Sequence, residues 1–373
     1  MNRKILFTIL CLVFTFCVGA SFVGCTDELE DQPVDLSLYE FENGTIMGLT
    51  ELGYEQFDLD IPANIDGELV TTIADGAFKK NARLTNVTMA DTVTSIGKEA
   101  FAECKRLKTI VFSDNITTIG NNAFFNCNKI ETIVLPEKLE TISNSCFGSC
   151  LSLKSITIKN QVKTIEPRAF NGCRNLTTLH IPASVTAIDF EDGSASFTSM
   201  NGLESFTVDA NSATFSVKDG NLLSKDGTIF YNYALGKKAT EFTLPNGVTY
   251  VYAYAFAFEE DLLKVNFATT VERIGYGAFS SCSSLTDVTC GGAAGKLKRL
   301  EHRAFNYTPI KNIEIPSTLK YVGRYAFLNC RDIQKVVYYG TPEQWDAINI
   351  EDPSRYNNNT FTNASVRQYI IND

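Results

Sequence analysis

A phenylalanine recurs every 23 residues through the first half of this chain, and each one follows a small residue. The members are Phe78, Phe101, Phe124, Phe147 and Phe170. An isoleucine keeps the same register at Ile73, Ile96, Ile119, Ile142, Ile165 and Ile188. Self-similarity at a fixed period of this length is typical of a solenoid, in which one short coil recurs and stacks on its neighbour. We therefore expect a long repeated surface of the kind that serves in binding.

One coil, residues 96–118, shows how the repeat is built. The segment around Ala100 and Phe101 is compatible with a brief helical turn. Further along, apolar residues alternate with polar ones through Ile110 and Phe112, which is the period of a strand with one buried face. In other coils a proline often follows and ends the strand. Each coil is too small to bury its own apolar face, so neighbouring coils must cover one another.

The whole repeat can be written as one consensus. The pattern I-x-x-x-A-F-x-x-C-x-x-L-x-x-I-x-I-P-x-x-V-x-x-I is found in residues 119–141, 142–164 and 165–187, and again from Ile274 and around Phe327. It resembles the BspA-like (treponemal-type) leucine-rich repeat, and the resemblance covers roughly residues 57–350. The resemblance implies a leucine-rich-repeat solenoid: a curved stack of short parallel strands with brief helical turns, β-rich and capped at both ends.

The regular spacing breaks between Phe170 and Phe256, an interval of 86 residues. Within it, Asp219-Gly220 and Asp226-Gly227 predict hairpin turns that bud from the solenoid. We therefore expect an insertion near residues 189–240. Inserted loops often hold recognition residues, so this insertion is a rival to the repeat surface as a binding site.

Both ends of the array carry signals for a cap. Near the start, Asn43-Gly44 between apolar residues predicts a hairpin that covers the first coil. Near the end, Thr341, Pro342 and Gln344 have the spacing of a capped helix start. That helix would place Trp345 over the last open coil, although stacking of Trp345 on a ligand is an alternative.

The first residues have the layout of a secretory signal. Arg3 and Lys4 precede an apolar run, residues 5–18, that is too short to span a membrane. Residues 22–25, Phe-Val-Gly-Cys, resemble a bacterial lipobox, which implies lipidation of Cys25. The alternative is an ordinary signal with a chance cysteine. The acidic residues directly after Cys25 resemble the export signal of outer-face lipoproteins in some Gram-negative bacteria.

These signals predict a chain organised in five segments. They are a lipoprotein signal peptide over 1–24, an acidic tether over 25–37, an N-terminal cap and first coil over 38–72, repeats with the insertion over 73–350, and a C-terminal tail over 351–373. The predicted location is the outer membrane or cell surface, held by the lipid alone.

The net charge of −10 is concentrated near the start of the chain. Residues 26–78 contain 14 acidic residues and no Lys or Arg, whereas residues 79–373 carry 29 acidic and 31 basic residues. The repeats therefore offer no basic stripe to neutralise phosphates, which argues against a nucleic-acid partner. The acidic start is explained by a solvated tether and a soluble cap.

Few residues suggest reaction chemistry. One repeat column holds the cysteines Cys104, Cys127, Cys150, Cys173, Cys282 and Cys330. We expect free buried thiols there, although coils about 5 Å apart also permit disulfides. The two histidines, His180 and His302, lie several coils apart, too far for one shared catalytic or metal site. A pair of carboxylates stays open as a catalytic site, but no pattern supports one. We predict no enzyme activity, no cofactor and no metal.

The outward positions of the repeated strand form the candidate ligand-binding face. It is largely uncharged in the first half, although Thr and Val also simply suit strands. The candidate residues are Thr109, Val111, Thr132, Val134, Ser155, Thr157, Thr178, His180, Thr207 and Asn266. In leucine-rich repeats this face commonly lines the concave side.

Three functional hypotheses follow from this organisation. The favoured one, partly by resemblance, is a surface-displayed protein that binds a protein ligand or host surface component and mediates adhesion. The second is an accessory glycan- or nutrient-binding lipoprotein that works with an outer-membrane transporter. The third is a hydrolase hidden in the insertion.

Overall fold

The chain winds into a β-solenoid of about 12 turns, as the repeat predicts. The computed structural model describes residues 36–188, 197–351 and 359–371. The predicted signal peptide, Cys25 and all but the last two residues of the predicted tether lie outside the described residues. So do residues 189–196 of the predicted insertion and residues 352–358, 372 and 373 of the predicted tail.

Short strands make up most of the regular structure. Up to residue 188 they are β1 Tyr39–Glu42, β2 Thr45–Leu49, β3 Asp58–Ile61, β4 Asn64–Ile65, β5 Glu68–Leu69, β6 Thr72–Ile73, β7 Asn86–Met89, β8 Ser95–Ile96, β9 Thr109–Val111, β10 Thr118–Ile119, β11 Thr132–Val134, β12 Thr141–Ile142, β13 Ser155–Thr157, β14 Thr164–Ile165, β15 Thr178–Ile181 and β16 Ala187–Ile188. The later strands are β17 Ser205–Val208, β18 Phe215–Lys218, β19 Asn221–Ser224, β20 Ile229–Asn232, β21 Glu241–Thr243, β22 Tyr250–Val251, β23 Lys264–Asn266, β24 Arg273–Ile274, β25 Asp287–Thr289, β26 Arg299–Leu300, β27 Asn312–Pro316, β28 Tyr321–Val322, β29 Lys335–Tyr339, β30 Asn349–Ile350 and β31 Arg367–Tyr369. The α-helices are α1 Glu51–Tyr54, α2 Pro342–Asp346 and α3 Asn359–Thr362, and short 3-10 turns span Leu36–Leu38, Leu235–Lys237, Gly292–Ala294 and Ala364–Val366.

Each regular coil contributes one strand to each of two parallel ladders. In the first, the isoleucine ladder, Ile73 lies opposite Ile96, and Ile96 lies opposite Ile119. In the second, Ile133 lies opposite Ile156 on the buried side, and Thr132 lies opposite Ser155 on the outer side. We call this second set of strands the threonine ladder. A shift of 23 residues thus places each residue beside its repeat equivalent. The register is strongly specified because a slip by one residue would turn every buried side chain outward.

The segments around the Ala-Phe pairs, which we call the Ala-Phe turns, consist of hydrogen-bonded turns and not of regular helix. The backbone N–H of Phe101 donates to the carbonyl of Ala123 in the next coil, at 2.8 Å. Two residues in this coil, Glu99 and Glu103, have positive φ values of 57° and 62°. These left-handed positions turn the N–H groups toward the neighbouring coil, so the bonds run between coils. The predicted helical turn therefore takes this form because inter-coil bonds replace intrahelical ones.

The core is built on the phenylalanine column, as predicted. Phe124 and Phe147 are fully buried, and their rings stack with centroids 5.6 Å apart and planes 10° from parallel. Among the described residues the buried apolar side chains form two clusters that divide near Leu222 and Leu223. The division falls in the interrupted part of the repeat.

The interruption forms hairpins with turns at the two Asp-Gly pairs. β18 and β19 are antiparallel and joined at Asp219-Gly220, and β19 is antiparallel to β20. These strands do not leave the solenoid, in contrast to the expected budding, because β20 pairs in parallel with β22. The hairpins thereby begin the second part of the isoleucine ladder, and Phe230 takes an isoleucine position opposite Val251.

Both ends of the described array are covered. At the start, the β1–β2 hairpin turns at Asn43-Gly44, and β2 pairs with β6. At the end, Thr341 and Gln344 form a capping box, and Trp345 is buried in α2. Beyond it, the ring of Phe361 stacks on Phe327 at 4.3 Å, and β31 pairs with β29.

Candidate functional site

The predicted candidate residues lie on the outward side of the threonine ladder. Thr132 pairs with Ser155 and Val134 with Thr157, so equivalent side chains form columns along the array. Eight of the ten candidates are exposed, and Val111 and Asn266 are partly buried. Val134, in the middle of these columns, is 57% exposed. From Thr109 to Thr157 the outward positions therefore present hydroxyl and methyl groups without charge, whereas β3, at the start of the ladder, carries Asp58 and Asp60 on the same face.

The later part of the same face is already engaged in side-chain contacts. The Nδ1 atom of His180 lies 3.0 Å from Thr207 Oγ1, and its Nε2 atom lies 3.3 Å from a carboxylate oxygen of Asp209. The amide nitrogen of Asn266 donates to Glu241 at 2.7 Å, and its amide oxygen accepts from Thr289 at 2.9 Å. These contacts reduce the number of polar groups left for a ligand, so the positions from Thr109 to Thr157 are the more available part.

A second surface, which we call the turn-face cleft, lies along the Ala-Phe turns. It has a volume of about 600 Å³. Its lining includes Phe125, Arg168, Asn171, Tyr254, Phe258 and Arg303. Because coils on both sides of the interruption line this one cleft, the array bends toward the turns. The threonine ladder, expected from the resemblance to be concave, is not the face that forms it.

Exposed aromatic rings and arginines characterise the cleft. Phe258 is 42% exposed and Phe125 is 36% exposed. The ring of Tyr254 lies directly over Gly277, where an added Cβ would come within 2.8 Å of the ring. Burial raises the pKa of the Tyr254 phenol and Tyr276 adds to the rise, while the positive charges of Arg303 and Arg168 lower it. Arg168 and Tyr254 come from opposite sides of the interruption and line the same cleft.

The cleft could not be recognised from the sequence, because its residues lie at positions of the Ala-Phe turns that differ from one coil to the next. Arg168, Tyr254 and Arg303 each stand two residues before a column phenylalanine, where other coils carry Glu99 or Asn122. The arginine or aromatic residue at this position was the only indication of the cleft in the sequence. Recognising the cleft also required the curvature of the array, which the repeat spacing alone does not predict.

A smaller cleft of about 420 Å³ adjoins Arg303. There His302 Nε2 lies 2.9 Å from Glu351 Oε2 and 3.0 Å from the Tyr321 hydroxyl. His180, on the threonine ladder, is not part of this group. Within the described ranges no cluster of His, Cys, Asp and Glu has the arrangement of a metal site.

The cysteine column is buried. The eight cysteines of the described residues are unbridged, and burial raises the pKa of Cys104 and Cys150 to about 12. At neutral pH such thiols are protonated, which makes them poor nucleophiles and poor metal ligands.

Comparison with known proteins agrees with the repeat geometry. A family model for the BspA type leucine-rich repeat region matches six copies, over residues 71–204 and 228–347. A leucine-rich cell surface protein from Faecalibacterium prausnitzii is similar, with 27% identity, a TM-score of 0.56, and coverage of 82% of this chain and 93% of that protein. The pneumococcal vaccine antigen PcpA shares the fold at 20% identity, with a TM-score of 0.68 and 90% of each chain covered. No curated protein sequence matches the chain.

Proposed function

The chain belongs to the BspA-type leucine-rich repeat family, and from this premise we propose that it is a surface-displayed, lipid-anchored binding protein without catalytic activity. Its role is to hold a protein ligand or host surface component, and so to mediate adhesion. The similar Faecalibacterium prausnitzii protein is described as a cell surface protein, which supports the proposed location.

One observation carries the binding role: the outward positions of the threonine ladder from Thr109 to Thr157 carry no charge, and all of them except Val111 are exposed. Val134 and Thr157 stand side by side on it, in register, with 57% of Val134 exposed. A surface with an exposed apolar side chain among hydroxyl groups suits a protein partner. The candidate contact residues are the ten on this face, from Thr109 to Asn266.

The binding role is tested with two matched double variants of the purified chain. Val134→Glu/Thr157→Glu places two negative charges on the face. Asn160→Glu/Gln161→Glu places the same two charges on exposed positions of the following turn. We expect only the first variant to lose binding to immobilised host matrix proteins and epithelial cells. Equal binding by wild type and both variants would contradict the assigned face, and binding to a glycan array alone would contradict adhesion to proteins.

The anchor is proposed from Cys25 and the signal peptide over 1–24. Among the described residues no helix has the length and apolar character to cross a bilayer. Acyl chains on Cys25 supply membrane affinity without a spanning helix, and more than one chain makes it durable. Cys25→Ala should release the protein from membranes, whereas Cys11→Ala, within the leader, should not. Membrane association and acylation that persist in Cys25→Ala would contradict the proposal.

A further inference from the structure

We propose that the turn-face cleft is a second binding site, which takes an acidic segment of a polypeptide. Arg168 and Arg303 pair with the carboxylates of that segment, and Tyr254 and Phe258 pack against its apolar side chains. The site is separate from the threonine ladder and does not depend on the adhesive role proposed for that face.

The charges in the cleft are uncompensated, in contrast to equivalent positions earlier in the array. In the first coils, Lys79 pairs with Glu99, and Lys80 lies 3.7 Å from Glu103. Arg168 and Arg303 are exposed and form no ion pair with any carboxylate of the described residues. The cleft lining itself contains no Lys, Asp or Glu. Two arginines in a concave surface without acids create a local positive potential that attracts an anionic ligand.

The side chain of Arg303 is also restrained by aromatic contacts that leave its hydrogen-bond donors free. The Arg303 guanidinium lies 5.8 Å from the ring centres of both Tyr276 and Tyr325. Contact with aromatic faces restrains the side chain without using its five N–H donors. A guanidinium with free donors binds a carboxylate through two parallel hydrogen bonds.

The exposed rings have no role in the core that would explain them. Phe258 is 42% exposed and has a φ of 65°, a left-handed backbone that bulky residues seldom adopt. Equivalent positions in most other coils hold a polar residue, such as Lys80, Asn126 or Ser149, while the coil of Phe305 holds Tyr307, which is 56% exposed. A phenylalanine at this position lowers the stability of the fold and exposes apolar surface. We therefore infer that its side chain contacts a partner.

The composition of the cleft favours a polypeptide over other anions. Aromatic residues, arginine, serine and asparagine line it, and lysine and acids are missing from the lining. This is the residue usage of protein-recognition surfaces. A nucleic acid requires many phosphate contacts, and two arginines in a chain of net charge −10 do not provide them.

The test measures binding of a fluorescein-labelled copolymer of glutamate and tyrosine to the full-length chain by fluorescence anisotropy. Arg168→Glu/Arg303→Glu should weaken binding at least tenfold. Arg106→Glu/Arg331→Glu, which makes the same charge change at exposed arginines outside the cleft, should change it less than twofold. Phe258→Asn, whose side chain suits a left-handed backbone, should weaken binding at least threefold. Val134→Glu/Thr157→Glu on the threonine ladder should leave it unchanged.

The outcomes separate the alternatives. Equal weakening by the two arginine pairs would show a general charge effect and overturn the site. No binding of the copolymer to the wild-type chain would also overturn it. Arginine-dependent binding of polygalacturonate, without binding of the copolymer, would assign the cleft to an acidic glycan and overturn the polypeptide proposal. Circular dichroism of each variant checks that the solenoid is folded, and Arg168→Gln/Arg303→Gln provides a milder second pair.

Discussion

The thiol of Cys150 donates a hydrogen bond to the backbone oxygen of Phe124, 3.2 Å away and one coil earlier. The same bond joins Cys104 to Phe78, Cys127 to Phe101, Cys173 to Phe147, Cys282 to Phe256 and Cys330 to Phe305. Each of these six phenylalanines therefore contacts the following coil twice, through its ring and through its carbonyl. The cysteines act as donors that satisfy buried carbonyls, and not only as small apolar side chains.

Cys150→Ala should destabilise the protein by about 1–3 kcal/mol, because it removes the donor and leaves a small cavity. Cys146 offers a matched control in the same coil: it is also buried, but it occupies the position that other coils fill with alanine. Cys146→Ala should therefore cost less, by about 1 kcal/mol. Urea denaturation followed by circular dichroism measures both. Equal losses would show that the thiol hydrogen bond contributes nothing.

Because the pKa values of these buried thiols are raised, we expect the protein to lose stability at alkaline pH. Burial raises the pKa of Cys150 to about 12 in the folded chain, whereas an unfolded cysteine ionises near about 8.5. Below the unfolded pKa both states are protonated and the full stability is present. Above it the unfolded state loses its proton first, so the free energy of unfolding falls by about 1.4 kcal/mol per pH unit for this thiol. Denaturation at pH 8 and pH 10 should show the gap between wild type and Cys150→Ala narrowing at pH 10. A constant gap would contradict this.

Phe124→Ala should cost about 3–5 kcal/mol of folding free energy, because it empties a fully buried position in the stacked column. Phe125→Ala changes the adjacent residue of the same type, which is 36% exposed in the cleft. Its cost should be about 1 kcal/mol or less. Thermal and urea denaturation of the two variants give the comparison. Similar costs would mean that the column does not carry the core.

The buried carboxyl group of Glu259 should make the stability of the protein depend on pH in the acidic range as well. Glu259 takes the cysteine position of its coil, is 1% exposed, and accepts from the N–H of Leu262 at 2.6 Å. Burial raises the pKa of this carboxyl above its ordinary value, partly offset by the N–H donors of Leu262 and Asp261. The unfolded chain therefore loses the proton first, and the stability present below the ordinary pKa falls as the pH rises through the folded pKa.

Glu259→Gln keeps an acceptor oxygen and cannot ionise. It should match the wild-type stability near pH 4 and exceed it at pH 7. Glu260→Gln, at the exposed neighbouring residue, is the control and should show no such gain. A Glu259→Gln variant less stable than wild type at pH 7 would show that the ionised form is favoured in the fold.

Much of the fold follows from the sequence because the repeat is nearly exact. The spacing of Phe124 and Phe147 predicts the stacked column, that of Ile142 and Ile165 predicts the isoleucine ladder, and Thr341 with Gln344 predicts the final helix cap. The left-handed turns were not predictable, since Glu99 and Glu103 are residues that rarely adopt a positive φ. Only a coil stacked on its neighbour makes that conformation favourable.

Other features depend on contacts between distant residues. Phe361 joins the phenylalanine column 34 residues after Phe327 and follows a threonine, so neither the period nor the Ala-Phe pair identifies it. The turn-face cleft unites Arg168 and Arg303 through the bend of the array. Eight of the ten candidate positions on the threonine ladder are exposed, and the sequence could indicate them because alternation along a strand needs only local information.

Because neighbouring coils pair at a 23-residue offset, the number of coils can change without changing the contacts that stabilise each coil. Val251 and Ile274 are ladder partners one period apart, so duplication of residues 252–274 would add a coil and keep every strand paired. Such an event would move Arg168 and Arg303 farther apart without changing either side chain. Unequal recombination between similar repeats is thus a route by which this architecture changes the dimensions of what it holds.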